Sequence, residues 1–369
     1  MAGGKRKRTQ ALAADGKQKQ TQGPAADGLD GDALPALAER APAKDSFLIA
    51  AGTYERILYG IEGRHVEGKL VLSPQFIFPA HIGCIKAVSA GGRYLASGST
   101  DEVIKLYDLR RRVELGSLHE HKGSITALQF HGHAHLLSAS EDGAICIFRT
   151  KDWEPLKVLR GHKGAINSIA IHPTGKLALS VGRDRTIIIW NLLTGQRASR
   201  TKTPKVGELV AWSPSGSLYV VSYATEVQIH SVGQAEPLAT VFSQQRILAI
   251  LVVTYEGADY VLCGCQDKRV HVYSAAGVEL ASVQCHENRI KGLGTVDAVF
   301  PDGKVHTLIV SISSDGRVKV WDMSDLIGSD HDRADAAKDA PPPDVQAEPL
   351  ATYNADVRLT CVTVSNGIF

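Results

Sequence analysis

A short apolar run ending in an aromatic residue recurs about every forty residues along this chain, and few architectures can be built on such a period. The copies are ILY at Tyr59, KLY at Tyr107, CIF at Phe148, IIW at Trp190, HVY at Tyr273 and VKVW at Trp321, with a weaker one, VQIH, ending at His230. Successive marks lie 48, 41, 42, 40, 43 and 48 residues apart. Between them run short strand-like segments bounded by turn residues. A unit of this size cannot bury its own apolar face, so it must stack on its neighbours.

Seven marks at this period fit seven four-stranded blades, and the chain is expected to be all-β, a seven-bladed β-propeller over residues 47–364. The first mark follows FLIAAG at 47–52 with no strand before it, so the first blade lacks its innermost strand. At the other end RLTCVTV at 358–364 has the pattern of the first strand ITALQF at 125–130, with no blade to follow. The C-terminal strand is therefore expected to join the N-terminal blade, closing the ring and removing its open sheet edges. EPLAT occurs at 236–240 and again at 348–352, each time where an outer strand belongs. That places the acidic stretch 325–348 between the third and outer strands of the last blade, as a disordered loop insertion with seven acids and two bases.

A second periodicity is sharper. In five copies an aspartate stands six residues before the aromatic: Asp101, Asp142, Asp184, Asp267 and Asp315. Four residues before it stand Ser97, Ser138, Ser180, Cys263 and Ser311. In four copies a histidine lies upstream, His81, His121, His162 and His286, at gaps of 20, 21, 22 and 29 to the aspartate. The last gap is longer because residues 296–305, with a PDG turn, extend one hairpin. These sets resemble the WD-repeat β-propeller family. The resemblance implies that each histidine sits in a loop between blades and each aspartate in the tight turn between second and third strands. With the serine and the aromatic, Trp190 and Trp321 among them, they would form a buried hydrogen-bond chain. The blade around Thr225 lacks the histidine, aspartate and tryptophan, and the one around Tyr54 lacks the first two. Both are expected to be held by packing alone and to be looser.

Ser, His and Asp together suggest a hydrolase triad, but catalysis needs one site and this set occurs four times at one spacing. The cluster of histidines at 119, 121, 131, 133 and 135 suggests metal, but the alternation at 131, 133 and 135 straddles a hairpin turn at Gly132 without a cysteine or carboxylate at ligand spacing, which reads as a solvated turn rather than a metal site. No phosphate-cradling P-loop or dinucleotide fingerprint is present. No catalytic residue, cofactor, metal or small-molecule substrate is expected. With 41 Lys+Arg against 39 Asp+Glu the net charge of +2 exerts no global pull toward nucleic acid or membrane. The longest apolar run, 247–253, falls far short of the ~18 residues of a membrane span. Six cysteines without a CxxC pair read as buried free thiols of a reducing compartment.

Residues 1–46 read as a disordered, basic, low-complexity tail, and 365–369 as a C-terminal end. The tail holds Lys5, Arg6, Lys7 and Arg8, four adjacent cations that fit nuclear import or RNA contact. Loops of the face bearing the repeated aspartates carry Lys122, Lys163, Arg183, Arg185, Lys268, Arg289 and Lys291, with Glu102, Glu141 and Glu287 among them. Such a face suits acidic protein segments or RNA phosphates.

Longer stretches narrow the resemblance. EDGAICIF with KDWEPLKVLRGHKG (141–164), IHPTGKLALSVGRDRTIIIWNLLTG (171–195), CHENRIKG (285–292) and ISSDGRVKVWDM (312–323) are similar to one WD-repeat subfamily. It comprises the animal p21-activated-kinase-interacting proteins and the fungal proteins named for maintenance of killer virus. The resemblance implies a nucleolar scaffold of large (60S) ribosomal subunit assembly. Its implied partners are proteins of precursor particles, a ribosomal-protein-like partner and pre-rRNA. The alternative it implies is direct binding and restraint of a p21-activated kinase. In animal relatives the charged tail is often C-terminal, whereas here the basic cluster is N-terminal and the C-terminus is used for closure.

Overall fold

The computed structural model describes residues 45–234, 236–327 and 344–366. Some strands alternate, as in Ile290–Val299, where every second side chain is buried and the others half-buried, while Tyr94–Ser99 and His135–Ser140 are buried on both faces, between neighbouring sheets. The strands form seven sheets, each with four antiparallel strands, numbered here as blades. Blade 2 holds Ile85–Gly91, Tyr94–Ser99, Ile104–Asp108 and Val113–Leu118 from the inside outward. Blades 3 and 4 repeat this order from Ile125–His131 to Pro155–Arg160 and from Ile166–Ile171 to Gln196–Lys202. Blade 5 is the shortest, running from Leu209–Trp212 to Ala239–Phe242. Blade 6 starts at Ile247–Tyr255 and blade 7 at Ile290–Val299, whose hairpin with Val305–Ser313 is the extended one.

Blade 1 closes the circle. Leu359–Asn366 forms its innermost strand, antiparallel to Ser46–Thr53, with Ile49 opposite Val364 and Ala51 opposite Val362. Ile57–Val66 and Lys69–Pro79 complete the blade. The seven innermost strands neighbour one another in sequence, and Leu359–Asn366 touches the inner strands of both blade 2 and blade 7. The Thr360 hydroxyl lies 2.9 Å from the Gly52 carbonyl and 2.6 Å from that of Ile85, tying blade 1 to blade 2. Gly52 has no room for a side chain there: a Cβ would come within 2.5 Å of Ile85 Cγ2 and 2.8 Å of Cys361 Sγ. The core lies between blades rather than within them. Val310, Val318 and Val320 of blade 7 pack on Phe47, Ile49 and Ile61 of blade 1, and Leu137 and Ile145 of blade 3 on Ile188 and Trp190 of blade 4.

The two EPLAT copies do lead into outer strands, Ala239–Phe242 and Ala351–Asn354. The stretch 325–348 needs correction at both ends. Met323–Ile327 is a helical turn whose Met323, Leu326 and Ile327 are buried beside Trp321 and Val272. Asp344–Val345 pairs in parallel with Ser282 and Val283 as a fifth strand of blade 6. Few apolar residues stand in this acidic stretch, and Leu326, Ile327 and Val345 find the blade 6 surface. Residues 328–343 lie outside the described residues, as do 1–44 with Lys5, Arg6, Lys7 and Arg8. Ser365 and Asn366 belong to the closing strand. All six cysteines are unpaired, and no helix among the described residues is long and apolar enough to cross a membrane.

Candidate interaction face

Each blade's tight turn between second and third strands and the loop entering that blade come together on one face. In four blades they are joined by the same hydrogen-bond chain. In blade 4, His162 Nδ1 donates to Asp184 at 3.0 Å, the Ser180 hydroxyl donates to His162 Nε2 at 2.7 Å, and Trp190 Nε1 donates to Ser180 at 2.8 Å. Blade 7 repeats it with His286–Asp315 at 3.1 Å, Ser311–His286 at 2.8 Å and Trp321–Ser311 at 2.9 Å. In blade 2, His81 bridges Asp101 at 3.0 Å and Ser97 at 2.7 Å, and in blade 3, His121 bridges Asp142 at 3.1 Å and Ser138 at 2.7 Å. The tautomer follows from the network, since the aspartate can only accept and the serine must donate onward. The aspartates also accept the backbone N–H of Ile82, Lys122, Lys163 and Glu287, the residue after each histidine.

The connectivity is that of a hydrolase triad, and burial decides against that chemistry. Ser97, Ser138, Ser180 and Ser311 are each 0% exposed, so no substrate reaches an Oγ. Burial alone would raise the four aspartates, but the hydrogen bonds they accept outweigh it and hold all four below the ordinary carboxylate range. Burial lowers His81 and His162, only partly offset by the neighbouring aspartate, so both stay neutral near pH 7.

A second serine, outside the set expected above, joins three of these turns. Ser99, Ser140 and Ser313 each accept the backbone N–H of the turn aspartate at 3.2–3.3 Å. Ser140 and Ser313 also donate to carbonyls of the incoming loop. The signal was a repeated S-x-S-x-D. Blade 6 reads C-G-C-Q-D instead, with Cys263 and Cys265 in the two serine places. There Asp267 meets no upstream histidine but His271, from the next strand, at 2.9 Å, and His271 Nδ1 lies 2.6 Å from Glu279. With both ring nitrogens donating, His271 is an imidazolium. Burial pulls it the other way, but the two carboxylates raise it to about 9. Blade 5 has no such chain, and the buried Ser222 hydroxyl and both His230 ring nitrogens find no hydrogen-bond partner. Among the described residues the histidines 119, 131, 133 and 135 belong to no group with metal-ligand spacing. His131 and His135 line a cleft of about 330 Å³ between blades 3 and 4.

The seven nominated cations all lie on this face. Lys122, Lys163, Arg183, Arg185, Lys268 and Arg289 are exposed, and Lys291 is half-buried at the start of an inner strand. Arg183 shares Glu141 with Lys86, at 3.7 and 3.3 Å, and Arg289 Nε donates to Ser314. Among the described residues the six other than Arg183 have no carboxylate within ion-pair distance. Burial, then Arg289 and Arg246, lower the Lys291 ammonium. Arg185 and Lys268 hold left-handed backbone, φ +54° and +76°, in turns where blades 3 and 7 place Gly143 and Gly316 and blade 2 places Glu102, at φ +70°. A bulky side chain is strained there, so these cations stand where glycine would suit the backbone better. The channel behind the face, about 650 Å³, is lined by the inner strands.

The family model described as WD domain, G-beta repeat matches residues 72–108, 112–149, 153–191 and 277–322. Each match ends one residue past Tyr107, Phe148, Trp190 or Trp321, the aromatics of the four braced blades. The p21-activated protein kinase-interacting protein 1 of Homo sapiens is 39% identical, over 86% of this chain and 76% of its own. A p21-activated protein kinase-interacting protein 1-like protein of Gallus gallus is 40% identical, over 74% and 72%. Protein MAK11 of Saccharomyces cerevisiae is 32% identical, over 87% and 83%.

Proposed function

Because the chain belongs to the WD-repeat propeller family of p21-activated protein kinase-interacting protein 1 and MAK11, we propose that it is a non-catalytic protein-interaction scaffold of large ribosomal subunit assembly. It works in the nucleolus, binding precursor particles and a ribosomal-protein-like partner through its braced face. The observation that carries the reading is the set of exposed cations on that face left without acidic partners among the described residues. Such a surface steers toward phosphate-rich or acidic targets. A closed disc with fixed loops presents it without reordering. The four basic residues at 5–8 suit nuclear import or contact with pre-rRNA.

The test is tagged purification, gradient sedimentation and identification of the co-purifying proteins. Salt-sensitive migration with large-subunit precursors, and loss of large subunits on depletion, are the expected results. Absence from those fractions would overturn the reading. A second reading is direct restraint of a p21-activated kinase, favoured by the name that the human and chicken relatives bear. It predicts binding to a kinase regulatory segment with rRNA processing intact.

A further inference from the structure

Blade 6 lacks the histidine that braces blades 2, 3, 4 and 7, yet its turn gathers a different set of side chains. Cys265 ends the second strand, Asp267 lies in the turn, His271 is in the third strand and Glu279 opens the fourth. One donor atom each from Cys265, Asp267 and His271 lies within 4.8 Å of the others. Cys265 is buried, while the Asp267 and His271 side chains are 25% and 15% exposed, leaving a path from solvent. His271 Nε2 faces Asp267 and Nδ1 faces Glu279.

We propose that Cys265, Asp267 and His271 bind one divalent cation of the zinc class, with Glu279 as the outer carboxylate that orients the imidazole. Sulfur, nitrogen and oxygen donors together favour zinc over calcium or magnesium, which take oxygen alone. A histidine that donates one ring N–H to a carboxylate and offers the other nitrogen to a metal is the usual outer-shell arrangement. Donors ~2.0–2.3 Å from one ion require the widest gap here to close by about 1 Å. The charge balances: the thiol and His271 Nε2 each release a proton as the dication enters, and the Nδ1–Glu279 bond stays. A fourth position is left for water. The ion would tie the second and third strands through the turn, and Glu279 would join the fourth, a brace within blade 6 where the braced blades tie their turn to the entering loop.

The test uses the full chain, freed of metal by chelator dialysis and titrated with zinc chloride by calorimetry and thermal melting. Cobalt(II) in its place reports a thiolate ligand by charge-transfer absorption. The expected result is one equivalent bound, a higher melting temperature and the thiolate band. Cys265→Ser, checked for fold by circular dichroism, loses band and tight binding, and Glu279→Gln weakens binding ~10–100-fold. Cys84→Ser, at an unrelated thiol, keeps all three. Absence of stoichiometric uptake by the wild-type chain overturns the assignment. So does Cys265→Ser binding as tightly as wild type, or loss of the band in Cys84→Ser.

Discussion

A single hydroxyl in this fold satisfies one or two neighbours, and the number sets the effect of losing it. Ser180→Ala leaves both His162 Nε2 and Trp190 Nε1 buried without a partner, whereas Ser138→Ala leaves only His121, because Phe148 offers no hydrogen bond. Each orphaned group costs about 1–3 kcal/mol, so Ser180→Ala should lower the urea midpoint clearly more than Ser138→Ala. Equal shifts would mean that the tryptophan N–H contributes nothing. The same residues set the pH response. His81 and His162 titrate below their unfolded value of ~6.5, so the unfolded chain takes up protons first and stability falls as the pH drops through that value. The depressed aspartates add a further loss below about pH 4. His271 works in the opposite sense: raised to about 9, its contribution is complete below ~6.5 and is lost as pH rises toward 9. Melting of chelator-treated protein between pH 4 and 10 should therefore decline at both ends, and His271→Gln should reduce the alkaline decline and leave the acid one unchanged, the rest of the alkaline loss coming from thiols such as Cys146 and Cys285, which burial raises to about 12. The braces were legible because one spacing recurs. His271 was not, because its partners lie four residues back and across a strand pair, a relation found once in the sequence.

At the scale of strands and blades, closure depends on eight residues far from their partners in the chain. Leu359–Asn366 covers the edge of Ser46–Thr53 and supplies Leu359 and Thr360 to the seam. Removing 356–369 strips a central strand and exposes a long apolar edge, so the shortened chain should unfold or self-associate in gel filtration. A truncated monomer that melts like the full chain would refute this topology. The seam was legible because a first-strand pattern stood with no blade to follow. The helical turn Met323–Ile327 and the added strand Asp344–Val345 were not, since charge dominates that stretch and too few apolar residues mark a period. Blade 5 has the shortest strands, no aspartate–histidine brace, and buried polar groups without partners at Ser222 and His230. Opening it breaks fewer contacts than opening its neighbours. Amide exchange should be faster in Leu209–Trp212 and Leu218–Ser222 than in the matching strands of blade 4. Blade 1 also lacks the brace, but its strands of up to 11 residues and the closing strand should keep it protected.

At the scale of the whole ring, the two faces carry cations of different standing. On the braced face Lys122 and Lys163 sit on loops held by hydrogen bonds to Asp142 and Asp184, and Lys268 on the turn held by Asp267 and His271, so the backbone that carries them is set before any partner arrives. On the opposite face Arg110, Arg111 and Arg112 are exposed, in the turn between the third and outer strands of blade 2, where Asp108 accepts the backbone N–H of Arg110 and Arg111. If binding follows charge alone, reversal on either face should weaken it equally. If it follows the braced geometry, only one face matters. The triple change Lys122→Glu, Lys163→Glu, Lys268→Glu should leave melting nearly unaltered, since exposed substitutions shift stability by about 0.5 kcal/mol or less. It should abolish co-sedimentation with precursor particles and flatten the salt dependence of whatever binding remains. Arg110→Glu, Arg111→Glu, Arg112→Glu should leave both intact. Retained capture by the first variant, or equal loss in the second, would place docking elsewhere than the braced face.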